Sequence, residues 1–387
     1  MTETAVPEAP TVTGQQYSPG LEGIVAARTA MSDVNGRTGK LLYRGFDIAE
    51  LAEKSNFEET CYLLYNGALP NRQQLDELRR TFGESRLLPP RVIDLLRGLD
   101  PQAEPMDLLR TGVSALAHFD PDVADMSREA NVRKALRLVG QTATLVAAIG
   151  RLHRGLEVIA PDPGLSTAAD FLRMWSGQRP EATAEKVFDV CLILHADHGM
   201  NASTFTARVI ASTLSDMHSA VTGAIGALKG PLHGGANAAV MEMLEEIGSV
   251  DRAQGWVREA LADKKRVMGF GHRVYKVYDP RATVLKRFSQ ELGQRAGDPK
   301  WFDMSVEVEK VVLEVKKLNP NVDFYSASTY HVLGLERFIF TPIFALSRMA
   351  GWTAHILEQY DNNRLMRPES EYVGPPSADY VPIEHRP

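Results

Sequence analysis

From Asp47 onward, apolar positions recur at three- and four-residue intervals, and the runs break at Gly, Pro or Asn. The segments so marked, IAELAEKSNFEETCYLLYNG, RQQLDELRRTFGE, PPRVIDLLRGL, MDLLRTGVSALAHF and NVRKALRLVGQTATLVAAIGRLHRG, read as helices. Lys186 to His195, KVFDVCLILH, is apolar on almost every side, the mark of a helix inside a large core. NASTFTARVIASTLSDMHSAVTGAIGALKG is rich in small residues suited to close helix packing. ANAAVMEMLEEIG places Ala236, Val240, Met243, Leu244 and Ile247 on one face. Asp279 is the expected N-cap of DPRATVLKRFSQELGQRA, with Pro280 at its first position. Two more helices are expected, Phe302 to Lys317 and Thr341 to Tyr360, the latter capped by Thr341 with Pro342 first. Leu21 to Tyr43 carries β-type residues and an N-G hairpin signal at Asn35-Gly36. No βα alternation or fixed repeat is visible. The expected fold class is therefore all-α, multi-layered, with a small β hairpin near the N-terminus.

Composition narrows the function classes without choosing one. The chain has 387 residues, 44% hydrophobic and 24% charged, ordinary globular values that allow more than one domain. A net charge of −6 without like-charge blocks argues against nucleic acid or an anionic membrane as partner. Cys61 and Cys191 lie in apolar helical contexts without metal-ligand spacing, as in a reduced, cytoplasmic protein. MTETAVPEAPTVTGQQ has neither a basic nor an apolar region of the kind found in targeting signals and is expected to be a flexible tail. No apolar stretch reaches membrane-spanning length.

The densest chemistry is Met268 to Arg281, MGFGHRVYKVYDPR, where Gly269 and Gly271 let the backbone approach a ligand around His272. A solvated basic loop between helices would have the same composition. His198 follows the buried KVFDVCLILH helix, and His233, in GPLHGGAN, precedes a helix N-terminus that favours partial negative charge. Asp323 sits in a turn, where it could equally cap the following helix. Arg348 is the oddest residue, because Phe344, Ala345, Gly351 and Trp352, its neighbours at helical spacing, include no carboxylate. Arg281 likewise lacks an evident local partner. Such a set suits proton abstraction beside a carbonyl: a base, neutral donors for an enolate and an electrophile, and cations for carboxylates.

Other chemistries fail on spacing. Val274 stands where a dinucleotide fingerprint needs its third glycine, and Gly223 to Gly230 lacks the ending of a phosphate loop. His195 and His198 have the spacing of a metal pair, but no third ligand is in register.

Six collinear motifs, LHADHGMNAS, GPLHGGAN, GFGHRVYKVYDPR, NVDFYS, TPIFALSRMAGW and NNRLMRPESEYVGP, resemble the successive signatures of citrate synthase, in its shorter dimeric bacterial and archaeal form. The likeness covers about Gly20 to Pro375. It implies that His233 donates to the thioester oxygen of acetyl-CoA, Asp323 takes the methyl proton, and His272 hydrogen-bonds and protonates the oxaloacetate carbonyl. His198 would orient oxaloacetate, with Arg281, Arg348 and Arg367 on its carboxylates, Arg367 crossing from the partner of a homodimer, and Phe344 packing near the product. Arg273, Lys276 and Arg364 would face CoA, although Arg364 and Arg367 also fit solvated surface charges. No metal or redox cofactor is implied. Ala238 departs from the family pattern, where an acidic residue is common.

The resemblance further implies a large helical domain from residues 19–234 and 335–387, a smaller inserted helical domain at 235–334, and a tail at 1–18. Because the chain lacks the N-terminal structure of the longer NADH-inhibited hexamers, a dimer without that regulation is expected. Two alternatives stay open: a 2-methylcitrate synthase acting on propionyl-CoA, and a non-catalytic protein binding CoA or carboxylates.

Overall fold

The computed structural model describes residues 17–375 and 377–387, so most of the expected tail lies outside the described residues. Its contacts divide into two units, one of 29–365 and one joining the described parts of 1–28 and 366–387. The second unit holds short 3-10 turns at Pro19–Leu21 and Ile383–His385 and is otherwise without helix or strand.

The first unit opens with strands β1 (Ser32–Asn35), β2 (Lys40–Tyr43) and β3 (Phe46–Asp47), an antiparallel sheet in that order with Ser32 opposite Tyr43. The expected hairpin is present, but its turn has four residues, and a third strand is added. Asn35 accepts hydrogen bonds from the backbone N–H groups of Arg37 and Thr38, the local bonding that makes Asn a turn former. Leu41 and Tyr43 point inward, as period-two alternation requires.

Sixteen α-helices follow among the described residues, so the all-α expectation holds. The first ten are α1 (Ile48–Lys54), α2 (Phe57–Asn66), α3 (Arg72–Ser85), α4 (Pro90–Gly98), α5 (Pro105–Leu116), α6 (Arg128–His153), α7 (Thr167–Ser176), α8 (Ala182–His195), α9 (Ala202–Ser212) and α10 (Met217–Lys229). The rest are α11 (Ala236–Ile247), α12 (Val250–Ala262), α13 (Pro280–Arg295), α14 (Lys300–Lys316), α15 (Val322–Val332) and α16 (Phe340–Asp361). Asp279 caps α13 as expected, its carboxylate accepting from the Arg281 N–H, with Pro280 at the first position. The start of α16 differs from expectation. A 3-10 turn, Arg337–Ile339, runs directly into Phe340, no side chain caps the helix, and Thr341 and Pro342 already lie within its first turn. Proline is tolerated there because the first N–H groups of a helix have no intrahelical acceptor.

Helix α16 is the core element, apolar on nearly every side and packed against α2, α5, α6, α8, α9 and α10. Two polar side chains on it grip the end of α8: Ser347 donates to the Leu192 carbonyl, and Arg348 Nε donates to the His195 carbonyl at 2.7 Å. Gly351 N donates to the Ala196 carbonyl at 3.0 Å, and a Cβ at Gly351 would stand 2.3 Å from that oxygen. Helices α11 to α15 pack chiefly on one another, while α13 also reaches α1 and α8. No helix among the described residues is long and apolar enough to cross a membrane.

Replacing Gly351 by Ala puts a methyl group against backbone that cannot move aside. We expect Gly351→Ala to lower the unfolding free energy by about 1–3 kcal/mol, the usual cost of overpacking; denaturant melts of the two proteins measure it, and an unchanged midpoint would refute the close contact.

Candidate active site

The loop between α12 and α13 is held by its neighbours rather than by its own regular structure. The Gly271 N–H donates to the Asn319 carbonyl and the Asn321 N–H to the Gly269 carbonyl, both at 2.9 Å, around a bridge between Phe270 and Pro320. Gly269 has φ +83°, and a Cβ there would lie 2.8 Å from both Phe324 and Val240, so glycine is required twice over. Asn321 completes the join. Its Oδ1 caps α15 by accepting from Asp323 N, while its Nδ2 donates to the Gly271 carbonyl at 2.9 Å. Asp323 therefore sits in the first turn of α15, neither in a turn nor acting as the cap, and is tied to the strand of chain that carries His272. On the other side, Lys276 N donates to Gly36 O in the β1–β2 turn at 2.9 Å.

His272 Nδ1 accepts from the backbone N–H groups of Val274 and Tyr275 at 3.0 and 3.1 Å. That bonding puts the ring proton of the neutral imidazole on Nε2. Burial, with the nearby Arg281 charge, lowers its pKa to about 4. The His272, His198 and Tyr275 rings form one cluster with centroids 4.7 to 5.5 Å apart, and His198 Nε2 lies 3.2 Å from the Tyr275 hydroxyl. The His198 pKa is also pushed well down, by burial first and then by Arg281.

His233 carries its proton on the other nitrogen. Its Nε2 accepts from Ser203 N, in the first turn of α9, at 3.3 Å and lies 2.8 Å from the Ser203 hydroxyl. Ser203 is itself fixed, because Trp352 Nε1 donates to its oxygen at 3.1 Å. With Nε2 so engaged by a helix N-terminus, the proton resides on Nδ1. Burial and the Arg348 charge bring this imidazole, too, down to about 4.

The cations differ from each other. Arg281 was expected to lack a local partner; the structure corrects this. Asp279, two residues earlier, accepts from Nε and Nη2 at 3.0 and 2.8 Å and also from Val322 N at 3.2 Å. The N-cap turn brings these side chains together, a route not counted by helical spacing. Burial works against the Arg281 charge, but Asp279 outweighs it and raises the pKa. Arg348 fits its expectation: it is 2% exposed, and no carboxylate among the described residues lies within 4.0 Å. Its guanidinium lies 4.7 Å from the Phe344 ring, a cation–π contact, and burial lowers its pKa to about 10. An arginine so buried and so weakly paired would be stabilised by an anion beside it.

Asp323 is half-buried, and its carboxylate accepts no hydrogen bond among the described residues. Burial raises its pKa, Arg281 opposes this and Asp279 adds to it, leaving a value of about 6. The structure thus gathers His198, His233, His272, Arg281, Asp323, Phe344 and Arg348 around interacting charges. Arg273, Lys276 and Arg364 are exposed, and Arg367 is exposed in the unit that contains 366–387. No group of three or more His, Cys, Asp or Glu residues able to hold a metal occurs among the described residues.

A family model described as citrate synthase, C-terminal domain, matches residues 20–369. The chain belongs to the citrate synthase family. It is an acyltransferase of that family. Citrate synthase 2 of Bacillus subtilis is 50% identical over 368 residues, covering 95% of this chain and 98% of the relative. The 2-methylcitrate synthase 2 of Corynebacterium glutamicum is 44% identical over 372 residues, with 95% and 97% covered. The crystal structure of citrate synthase from Pyrobaculum aerophilum superposes with a TM-score of 0.90 at 40% identity, covering 99% of this chain and all of that one. That of the Thermoplasma acidophilum citrate synthase, a ternary complex with carboxymethyl coenzyme A and oxaloacetate, gives 0.90 at 32%, covering 96% and 100%.

Sequence reading missed Asn321, Ser203, Tyr275 and Asp279. Ser203 stood in LHADHGMNAS, and Asp279 had been assigned only a capping role; no local signal distinguishes their cross-chain bonds. The two fixed tautomers give a direct test. In nitrogen-15 NMR, the Nδ1 of His272 and the Nε2 of His233 should resonate as unprotonated nitrogens at pH 7, and both rings should stay neutral until the pH falls toward about 4. A ring protonated at pH 6 would contradict the assignment.

Proposed function

We propose that the chain condenses acetyl-CoA with oxaloacetate to citryl-CoA and hydrolyses it to citrate and CoA, the entry step of the tricarboxylic acid cycle. The observation that carries this reading is the carboxylate of Asp323, left without a hydrogen-bond donor and tied through Asn321 to the loop of His272, in a fold that holds His272 and His233 each with its ring proton on a defined nitrogen. Asp323 removes a methyl proton from acetyl-CoA while His233 Nδ1–H hydrogen-bonds the thioester oxygen, so charge never fully develops on the enol. A neutral donor is suited to this task, as an imidazolium would be acidic enough to pass its own proton to the base. The enol carbon attacks the oxaloacetate ketone, and His272 Nε2–H delivers its proton to the new alkoxide. Water then cleaves the thioester, releasing CoA.

Arg348 and the Nη1 of Arg281 receive the two carboxylates, His198 orients the keto acid, and Phe344 packs beside it. Bidentate or charge-assisted contacts of this kind discriminate dicarboxylates from monocarboxylates. In a homodimer Arg367 arrives from the partner, and Arg273, Lys276 and Arg364 face CoA. Residues 235–334 act as a smaller domain that closes on the remainder and excludes water before the enol forms. Proton transfers and oriented dipoles suffice for this chemistry, which calls for no metal or redox cofactor. A cytoplasmic location agrees with the two buried, unpaired cysteines.

The relative acting in 2-methylcitrate synthesis supports a second reading, propionyl-CoA as the acyl donor, since one methylene is worth only about 1–3 kcal/mol of discrimination. Measuring kcat/KM for both thioesters decides between them: we expect acetyl-CoA to be preferred, and a strong preference for propionyl-CoA would reverse the assignment. If no CoA thiol appears with either, a binding protein without catalysis is the better description.

Asp323→Ala should reduce condensation by at least about 10²-fold, the low end for loss of a general base, while oxaloacetate binding measured by calorimetry stays within severalfold. Because the base must be ionised, activity should be present above the Asp323 pKa and lost as pH falls through about 6. A profile of kcat/KM that stays flat from pH 8 to pH 5 would assign the base elsewhere.

A further inference from the structure

Behind His198 and Arg348 runs a chain of buried polar groups that the condensation itself does not use. Asp197 is fully buried, and its Oδ2 accepts from Ser32 Oγ at 2.6 Å and from Gly199 N at 3.2 Å. His355, also fully buried, places Nε2 3.2 Å from Asp197 Oδ1. Its Nδ1 faces Arg208 Nη1 at 3.4 Å, and since arginine only donates, Nδ1 accepts and Nε2 directs its proton at Asp197. Arg208 in turn donates to Glu358 at 2.7 Å and to Gln359 at 3.0 Å, and Glu358 accepts from Ala30 N at 2.7 Å.

A buried carboxylate paired with an imidazole is weak as a source of stability, because desolvation offsets the attraction. Its placement here shows what else it does. The Asp197 side chain closes the turn that carries His198, with Ser32 Oγ also accepting from Gly199 N at 2.9 Å. The same turn is clamped by the Tyr43 hydroxyl, which donates to the Asp197 carbonyl at 2.7 Å. Arg348 Nε is spent on the His195 carbonyl, two residues before Asp197, and Asp197 is the foremost carboxylate whose charge acts on it. His355 lies seven residues after Arg348 on α16, two helical turns along the same face.

We infer that the buried Asp197–His355 pair is a positioning element for the keto-acid half of the site: it fixes the turn that carries His198 and, through the end of α8, the carbonyl that holds Arg348 Nε. The inference rests on the substrate reading above. Neither residue touches the reacting atoms.

The test uses the full chain and three variants, Asp197→Asn, His355→Gln and Ser32→Ala. Asp197→Asn preserves shape and can still accept from Ser32 and Gly199 but removes the charge. It should raise KM for oxaloacetate by about tenfold or more, as expected when hydrogen bonds to a buried charged group are weakened, with KM for acetyl-CoA within about twofold. His355→Gln and Ser32→Ala should shift the same parameter by smaller factors. Variants that melt earlier yet keep the original KM for oxaloacetate, or that lose kcat alone, would show a merely structural pair and overturn the inference. Should Asp197→Asn not fold, the other two variants give the reading. Calorimetric titration with oxaloacetate keeps the two proposals distinguishable: if the unaltered protein releases no CoA thiol, the function reading fails, whereas weaker oxaloacetate binding in the variants still supports the positioning role and unchanged binding still refutes it.

Discussion

A guanidinium in the middle of the most apolar helix is the constraint on which the rest depends. Arg348 is 2% exposed, and isolating an unpaired charge from water costs several kcal/mol, a large share of a domain's margin. The protein offsets part of that cost without supplying an ion pair. The His195 carbonyl takes Nε, the Phe344 ring lies 4.7 Å away, and Asp197 acts from beyond hydrogen-bond range. A carboxylate in direct contact would have compensated the charge more fully. Leaving the cation underpaired forgoes that compensation, as is expected where stability and function compete.

The same logic governs the imidazoles. Each of His233 and His272 would find a second proton opposed by backbone N–H groups already directed at one ring nitrogen, so burial is not alone in keeping them neutral. The donors come from different kinds of structure: the first turn of α9 in one case, two consecutive amides of an irregular loop in the other. What they share is that the backbone, not a mobile side chain, sets the tautomer. Preorganised dipoles of this kind need no rearrangement when charge develops.

Much of this was legible in the sequence, though unevenly. The all-α class, the Asp279 and Pro280 start of α13 and the anomaly of Arg348 follow from periodicity and capping rules that act within a few residues. Gly269 and Gly271 marked a close backbone approach, and the structure supplies the object approached. The start of α16 was misplaced because Thr341-Pro342 has the form of a cap, while the preceding 3-10 turn already supplied the helical geometry. Arg281 was misjudged because its partner lies at a spacing of two, reachable only through the bend of an N-cap. Asn321, Ser203 and His355 were not found by pattern at all. Their roles are bonds to residues 30 to 158 positions away, and an Asn, Ser or His with such bonds looks locally like any other.

The distribution of those long bonds also says which of the candidate residues share a body. His272 and Asp323 are joined by Gly271 to Asn319, by Asn321 to Gly269 and Gly271, and by Asp279 to Val322, all within residues 269–323. His198, His233 and Arg348 are joined instead through Ser203, Trp352 and the end of α8. A displacement of the loop with α15 therefore carries Asp323 and His272 together. His198, His233 and Arg348 stay with α16. Since hydrogen-bonded segments move as units while loosely joined ones do not, the partition places any adjustment between these two sets of residues rather than within either.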